Sequence, residues 1–223
     1  MVYHLEQITG SKIIEELLFG VRDLFKKQCP DDCDLSSYEH YQELLEYLQS
    51  QNFEQRPVDV RNSYFPGLIA PGLYLPYLRG DAVYLKKANL RNANLDHAAL
   101  NGATVILAHL DDATLIDAKF KGAYCQGAFF IRANLDEAYF GGAELSGADL
   151  SGAHLEGTNF SGTQLRNAKF EDSDLTGITT LERAININSA IFKKTKVTPA
   201  QEEFLRRIRG TSDGLEVVGY LKR

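Results

Sequence analysis

Large apolar residues recur at every fifth position through the middle of the chain. From Leu90 to Leu175 each of these positions holds Leu or Phe, except Val105 and Cys125, and the residue two places earlier is Ala, Thr or Ser. The other three positions of each unit are mostly Asn, Asp, Lys, Ser, Gly or Glu. A period of five matches neither the 3.6-residue period of a helix nor the alternation of a plain strand. It predicts a short extended segment followed by a turn, repeated many times.

Stacking of these units is predicted because one unit is too small to bury its own apolar residues. The small and the large residue lie two apart, so both point to the same side of an extended segment. Stacked units would pair their backbones in parallel about 4.7–4.9 Å apart, and each buried Leu or Phe would contribute roughly 1.5–3 kcal/mol. The pattern extends back to Val58 with altered residues, since Leu68 and Ala70 exchange the usual sizes. We therefore predict one array over residues 58–177, which is 120 residues in 24 units of five.

Units such as ANLRN, ANLDH and ADLSG resemble those of the pentapeptide-repeat family over roughly half of the 223 residues. The resemblance implies a mainly β fold, a right-handed quadrilateral parallel β-helix with four units per coil. On that basis 24 units would form about six coils. Phe120, Phe140 and Phe160 recur at intervals of twenty residues and are expected to stack in one interior ladder.

The N-terminal segment departs from the five-residue pattern. Residues 12–27 place apolar side chains at helical spacing, and a second helical pattern begins with a capping box at Ser36 and Glu39. A solenoid whose ends were open would expose its core and unpaired backbone, so capping elements are expected. We predict that residues 1–57 form an α-helical N-terminal capping domain on the first coil.

The C-terminal segment, residues 178–223, is predicted to form a second cap. Residues 190–192 resemble one more unit, displaced by two positions from the regular count. A capping helix is expected over about 199–209, because Thr198 and Gln201 suit a capping box and Gly210 suits its end. The apolar tail that follows is either a strand or a contact with a second copy of the chain, that is, a homodimer through the C-terminal tail.

Composition narrows the class of protein. The chain has 24 basic and 30 acidic residues, a net charge of −6, which disfavours direct binding to nucleic acid or to an anionic membrane. It contains no run of about 18 apolar residues and begins without the features of a secretory signal. Three cysteines are too few for a disulfide framework. These features predict a cytoplasmic protein.

Candidate catalytic residues are few. Cys29 and Cys33 have a Cys-x3-Cys spacing with no second pair. Of the histidines in the array, His97 and His154 share one predicted face but lie three coils apart, and His109 is on the neighbouring face. The glycines mark turns and form no nucleotide-binding motif. We expect no enzyme activity, no metal and no cofactor, and we keep chemistry around the two N-terminal cysteines as the alternative.

Acidic residues concentrate on one predicted face. Between residues 92 and 177 the face centred on every twentieth Leu from Leu95 to Leu175 carries no Lys or Arg. Six charges over four steps of about 4.8 Å would give one charge per roughly 3.2 Å, close to the spacing of about 3.4 Å between phosphates of one DNA strand. The predicted partner-binding residues of this face are Asp96, Asp117, Asp136, Glu137, Glu156 and Asp174.

A second predicted contact is an apolar spot on another face. Phe129 and Ile131 are expected to point outward on either side of buried Phe130, with Asp111 and Asp149 at the border. An aromatic centre with a polar rim is typical of binding surfaces. An isolated pair of surface residues without a partner is the alternative interpretation.

These patterns together favour a non-catalytic scaffold that binds a protein partner along a flat face of the β-helix. The resemblance to pentapeptide-repeat proteins that protect DNA gyrase from quinolones adds an alternative, an acidic DNA mimic that binds gyrase or another DNA-handling protein. A structural spacer that presents the N-terminal helical domain is a further hypothesis, and the acidic face is equally consistent with an ordinary solvated surface.

Overall fold

A computed structural model describes residues 58–218, and its central feature is a parallel β-helix. The outward residue in the middle of each extended segment bridges in parallel to the residue twenty positions further on, as Asp59 does to Arg79. Twenty residues are four units of five, so the wall has four flat sides. We number the sides by their first and last bridged residues: side 1, Asp59 to Asn159; side 2, Tyr64 to Ile185; side 3, Ile69 to Ile191; side 4, Tyr74 to Lys196.

The interior is filled by the two inward residues of each unit. Phe120, Phe140 and Phe160 are completely buried and lie in one column, with ring centroids 4.8 Å apart for the first pair and 5.7 Å for the second. This confirms the predicted Phe ladder. The ring of Phe130, from the opposite side, meets Phe140 edge-on at 5.8 Å. Stacked and edge-on aromatic contacts together fix the packing of the tube's middle.

Hydroxyl groups replace Ala at a few small interior positions, and each of them is hydrogen-bonded. Thr158 and Thr163 are buried, and their hydroxyls donate to the carbonyls of Leu135 and Phe140 at 2.9 and 2.6 Å. A buried hydroxyl without a partner would cost about 1–3 kcal/mol. The substitution of Thr for Ala is therefore tolerated because a carbonyl of the preceding coil lies within reach.

Each flat side ends in a four-residue turn closed by a backbone hydrogen bond, such as the one from Ala98 N to Leu95 O at 3.1 Å. The second of the two central residues has a positive φ, 62° at Gly102 for example, as a type II turn requires. Glycine adopts this conformation without strain, whereas a bulky side chain costs roughly 1–2 kcal/mol. Leu107 and Glu137 nevertheless occupy such positions, with φ of 56° and 60°.

The coil wall continues past Gly177, where the five-residue pattern ends. The bridges there join residues that are 21 or 22 positions apart: Gln164 to Ile185, Lys169 to Ile191 and Asp174 to Lys196. Two short 3-10 helices, Leu181–Arg183 and Ile187–Ser189, hold the extra residues. The shift of two positions seen in the sequence at residues 190–192 matches this longer spacing.

The C-terminal end is closed by a helix between two short strands. Strand β1, Thr195–Val197, pairs in parallel with β2, Leu215–Val217, and helix α1, Pro199–Arg209, lies between them in the chain. The capping box formed by Thr198 and Gln201 is present, and α1 ends at Gly210. The side-chain amide of Gln201 also donates to the carbonyls of Leu175 and Ile178 at 2.7 and 2.9 Å. One buried side chain thus ties α1 to the end of the regular array.

Some predicted features lie outside the described residues. They are the N-terminal helical domain, residues 1–57, with its two cysteines, and the end of the apolar tail, residues 219–223. Between residues 58 and 218, no helix has the length and apolarity needed to cross a membrane.

Replacing Phe140 by Ala should lower the free energy of unfolding by about 3–5 kcal/mol, because it removes the central ring of the ladder and leaves a cavity. Denaturant unfolding followed by circular dichroism measures the change. Tyr124→Ala is the matched control, since the Tyr124 side chain is 50% exposed and should change stability by less than about 1 kcal/mol. Equal effects of the two variants would contradict this packing.

Replacing Gln201 by Leu should destabilise the C-terminal end by about 1–3 kcal/mol, since two buried carbonyls lose their donor. Hydrogen exchange of the amides in residues 181–209 measures the loss, and Glu203→Gln, an exposed change on the same helix, is the control. Unchanged exchange in the Gln201 variant would show that the amide does not hold the helix in place.

Candidate interaction surface

The predicted acidic residues lie along one edge of the β-helix rather than on a flat side. The large apolar residue of each unit is the last residue of its extended segment, so the two residues after it belong to the turn. Asp174 lies on side 4 itself, where it bridges to Lys196. The other five occupy the turns between side 4 and side 1, which we call the acidic edge: Asp96, Asp117, Asp136, Glu137 and Glu156.

Two of these carboxylates have a structural role that does not need a charge. Asp96 accepts a hydrogen bond from Ile116 N, and Asp136 accepts one from Glu156 N, both at 2.9 Å. At another edge the neutral amide of Asn101 accepts the corresponding bond from Lys121 N at 3.1 Å. An Asp→Asn change at the acidic edge therefore removes charge while retaining this bond.

Two of the six predicted residues are partly neutralised. Asp117 forms ion pairs with Lys119 and, at 3.2 Å, with His97, and the hydrogen bonds from these two side chains lower the pKa of the carboxyl. Asp174 accepts from Thr176 and lies 3.7 Å from Lys196. Among the described residues, the structure records no ion pair with Lys or Arg for the remaining four, which are Asp96, Asp136, Glu137 and Glu156.

Glycine in the next coil makes room for the two glutamates. The carboxylate of Glu137 lies where a Cβ on Gly157 would be, and the carboxylate of Glu156 lies where a Cβ on Gly177 would be. Glu137 keeps its strained positive φ at a turn position that other units fill with Gly or Asn. The result is a continuous line of carboxylates along the axis of the β-helix.

The predicted apolar spot is less exposed and more polar than expected. Phe129 lies on side 3, is half-buried, and stacks on His109 with ring centroids 4.5 Å apart and planes 4° from parallel. Ile131 is half-buried in the following turn. Asp111 at the border is buried and paired with Arg91 at 3.0 Å, so the rim already has internal partners.

Sequence analysis did not single out a second group of exposed apolar residues. Leu107 is 42% exposed in the turn between sides 2 and 3, and Tyr124 on side 2 is 50% exposed. The unit ATVIL indicates this surface in the sequence, because both of its turn residues, Ile106 and Leu107, are apolar. We return to this surface below.

The described residues offer little for catalysis. Between residues 58 and 218, no three His, Cys, Asp or Glu side chains are grouped so that they could hold a metal ion. Cys125 is completely buried, and burial raises the pKa of its thiol well above the usual range. A thiol in this environment is a poor nucleophile.

Comparison with known proteins identifies the class. The family model described as pentapeptide repeats matches eight copies over residues 88–123, 113–152 and 143–179. The chain belongs to the pentapeptide-repeat family, which confirms the resemblance stated from its sequence. The fold prediction is confirmed at the level of a right-handed β-helical solenoid.

Three solved pentapeptide-repeat proteins are similar to this chain. HetL, involved in heterocyst differentiation regulation in the cyanobacterium Nostoc sp. strain PCC 7120, is 19% identical over 70% of this chain and 83% of its own, with a TM-score of 0.50. The protein alr5209 from Nostoc is 30% identical over 37% of this chain and 69% of its own, with a TM-score of 0.37. A protein of the Arabidopsis thaliana thylakoid lumen is 31% identical over 53% of this chain and 77% of its own, with a TM-score of 0.32. No curated protein sequence matches this chain.

In a Cys29→Ser/Cys33→Ser variant, the remaining thiol of Cys125 should react with a thiol reagent at least about 1,000-fold more slowly in the native protein than in denaturant. The reason is that the tube must open before the sulfur meets solvent. The time course of absorbance with a chromogenic disulfide measures both rates. Comparable rates in the two conditions would contradict the burial of this residue.

Proposed function

We propose that this protein is a non-catalytic scaffold that binds a protein partner with a basic surface along the acidic edge. The observation that carries the proposal is the line of four carboxylates without Lys or Arg ion pairs, from Asp96 to Glu156. They span three coil steps, or about 14 Å at the parallel-strand spacing. A basic groove or helix of the same length on a partner would match this line of carboxylates.

The line of carboxylates lowers the stability of the fold, and this cost supports a role in binding. Like charges stacked in register repel one another, and a Glu at a positive φ adds strain of roughly 1–2 kcal/mol. At the neighbouring edge between sides 3 and 4, in contrast, Asp112 is paired with Arg132 at 2.7 Å. Uncompensated charge on a rigid wall accelerates association with an oppositely charged partner and selects against wrong ones.

The DNA-mimic hypothesis is less well supported than the scaffold. With Asp117 paired to Lys119 and Asp174 close to Lys196, four uncompensated charges remain over about 14 Å. That is one charge per about 3.6 Å, but the charges are uneven: about 10 Å separates Asp96 from Asp136, with the paired Asp117 between them, whereas a DNA strand carries one phosphate per about 3.4 Å. A mimic of gyrase-bound DNA would have to compete with duplex DNA for its target, and this competition distinguishes the two hypotheses.

We also propose that the N-terminal segment forms a helical cap and that the protein is cytoplasmic. The spacer role is an alternative to the scaffold. The cap is supported by the apolar spacing in residues 12–27. In the spacer hypothesis the β-helix only presents residues 1–57, so a chain lacking them would lose its partner. In the scaffold hypothesis the partner binds the described wall, and that binding survives the deletion.

Neutralising the edge in the variant Asp96→Asn/Asp136→Asn/Glu137→Gln/Glu156→Gln should weaken partner binding at least about tenfold, because the attraction is electrostatic. The measurement is affinity capture from an extract of the source organism with immobilised full-length protein, quantified by mass spectrometry at about 0.05 and 0.5 M salt. Capture by the unmodified protein should fall steeply at the higher salt concentration.

A control variant removes the same number of carboxylates elsewhere on the wall: Asp81→Asn, Asp112→Asn, Glu144→Gln and Asp172→Asn. It has the same net charge as the edge variant and should retain the partner. Proteins captured equally by all three forms bind elsewhere or nonspecifically, and the proposal fails if no protein is lost selectively from the edge variant. Displacement of the partner by a short DNA duplex would favour the mimic.

A further inference from the structure

The side of the β-helix opposite the acidic edge and side 4 carries the opposite charge. It consists of side 2 and the turns on either side of it, and through residue 167 it has five basic residues against Asp81 and Glu144. The five basic residues are Arg61, Lys86, Lys87, Lys121 and Arg166. The β-helix is therefore basic on one side and acidic on the other.

This basic side also carries two large exposed hydrophobic residues, Leu107 and Tyr124, and two half-buried tyrosines. Tyr64 and Tyr84 stack with ring centroids 4.5 Å apart, and Tyr124 lies two coils further along the same column. Leu107 in the adjoining turn is 42% exposed and extends over Gly127 of the next coil. A patch that combines aromatic, aliphatic and basic residues is typical of protein-binding surfaces.

Leu107 adds evidence that the patch has a function. A Leu at a φ of 56° is strained, and an exposed Leu gains little from burial in return. Other turns of the same edge hold Gly67, Gly127, Gly147 and Asn167 at this position, as turn chemistry favours, and Lys87, a long side chain that ends in a charge. Burial of the Leu107 side chain by another polypeptide segment would offset this strain.

One segment of the chain has the complementary chemistry. Residues 1–57 contain 11 acidic and 5 basic residues, a net charge of −6. This excess lies in residues 28–57, since residues 12–27 have three acidic and four basic side chains, and the second helical pattern, which begins at Ser36, carries Glu39, Glu43 and Glu46. The segment joins the β-helix at Val58, in the same coil as Tyr64. The acidic edge would repel it, whereas the basic side would attract it.

The dimensions agree with this pairing. From the coil of Val58 to the coil of Tyr124 there are three steps, about 14 Å along the axis. The second predicted helix, from Ser36 to Leu48, has 13 residues and would be about 20 Å long. It could therefore lie along the patch from Tyr64 to Tyr124 without straining its connection to the first coil.

We propose that the acidic part of residues 1–57, residues 28–57, docks in cis on the basic side of the β-helix, over Leu107, Tyr124 and the lysines Lys86, Lys87 and Lys121, while the preceding residues cap the first coil. The docked segment covers the apolar patch and leaves the acidic edge open. This inference does not depend on the scaffold function proposed above, because it concerns the opposite side of the wall.

Zero-length carbodiimide crosslinking of the full-length chain tests the proposal. The reagent joins a carboxyl group to a lysine Nζ with loss of water, so it reports direct contact. Mass spectrometry should find residues 1–57 linked to Lys86, Lys87 or Lys121. Lys169 on side 3 and Lys194 at the C-terminal end are the internal controls and should not be linked. Links to the control lysines only, or no links, would overturn the proposal.

Mixing 15N-labelled and unlabelled protein distinguishes cis docking from docking on a second copy. Links within one isotope form support the cis arrangement, and a predominance of mixed links would refute it. The experiment is carried out at micromolar concentration, where crosslinks between chains that do not form a complex are rare.

A charge variant supplies the second readout. Leu107→Asp/Tyr124→Asp should release the acidic segment, and Asp suits the positive φ at position 107 better than Leu does. We expect these crosslinks to be lost and protease cleavage within residues 1–57 to accelerate at least about fivefold. Ile131→Asp, an apolar-to-acidic change in another turn, should leave both readouts unchanged. Equal behaviour of the two variants would count against docking at this patch, and circular dichroism verifies that both remain folded.

Discussion

The parallel backbone pairing between coils is the interaction on which the rest of the structure depends. Leu95 N donates to Thr114 O at 2.8 Å and Thr114 N donates to Ala93 O at 2.9 Å, and this exchange repeats around and along the wall. Because the extended residues of each coil are hydrogen-bonded to the coils on either side, side chains that are twenty residues apart lie directly above one another. Surface residues consequently form columns along the axis of the β-helix. The residues directly above and below a given residue differ from it by twenty in residue number.

The same pairing imposes a cost at the turns. Four turns per coil each need one residue at a positive φ, and most units supply Gly, Asn or Asp there. Seven described units of the regular array depart from this, and two of them, Leu107 and Glu137, lie on the basic side and the acidic edge, whereas Arg132 lies on neither and is paired with Asp112. Strain at a bulky turn residue is not required by the fold, since Gly at the same position would stabilise the turn more. For this reason the two residues point to binding rather than to architecture.

The five-residue pattern predicted the interior but not the position of each outward residue. Ala and Leu two apart identify the buried side, so the Phe ladder followed directly from the spacing of Phe120, Phe140 and Phe160. Nothing in the period distinguishes the outward residue before the Leu, which lies on a flat side, from the two after it, which form the turn. For this reason the acidic residues were predicted to lie on a flat face, whereas five of the six lie in the turns of the acidic edge. Of the coil beyond Gly177 the sequence indicated only one displaced unit, residues 190–192, since bridges at 21 and 22 residues break any fixed period.

Charge on the two opposite surfaces is best understood together. Both are columns on one rigid tube, so a molecule attracted to one side is repelled by the other. A segment with a net charge of −6 that is tethered at Val58 has access to both sides, and electrostatics directs it away from the acidic edge. The charge asymmetry of the wall therefore also protects the edge from the chain's own acidic residues. Residues 1–57 as a whole are acidic, so a partner with a basic surface meets no net competition from them at the edge.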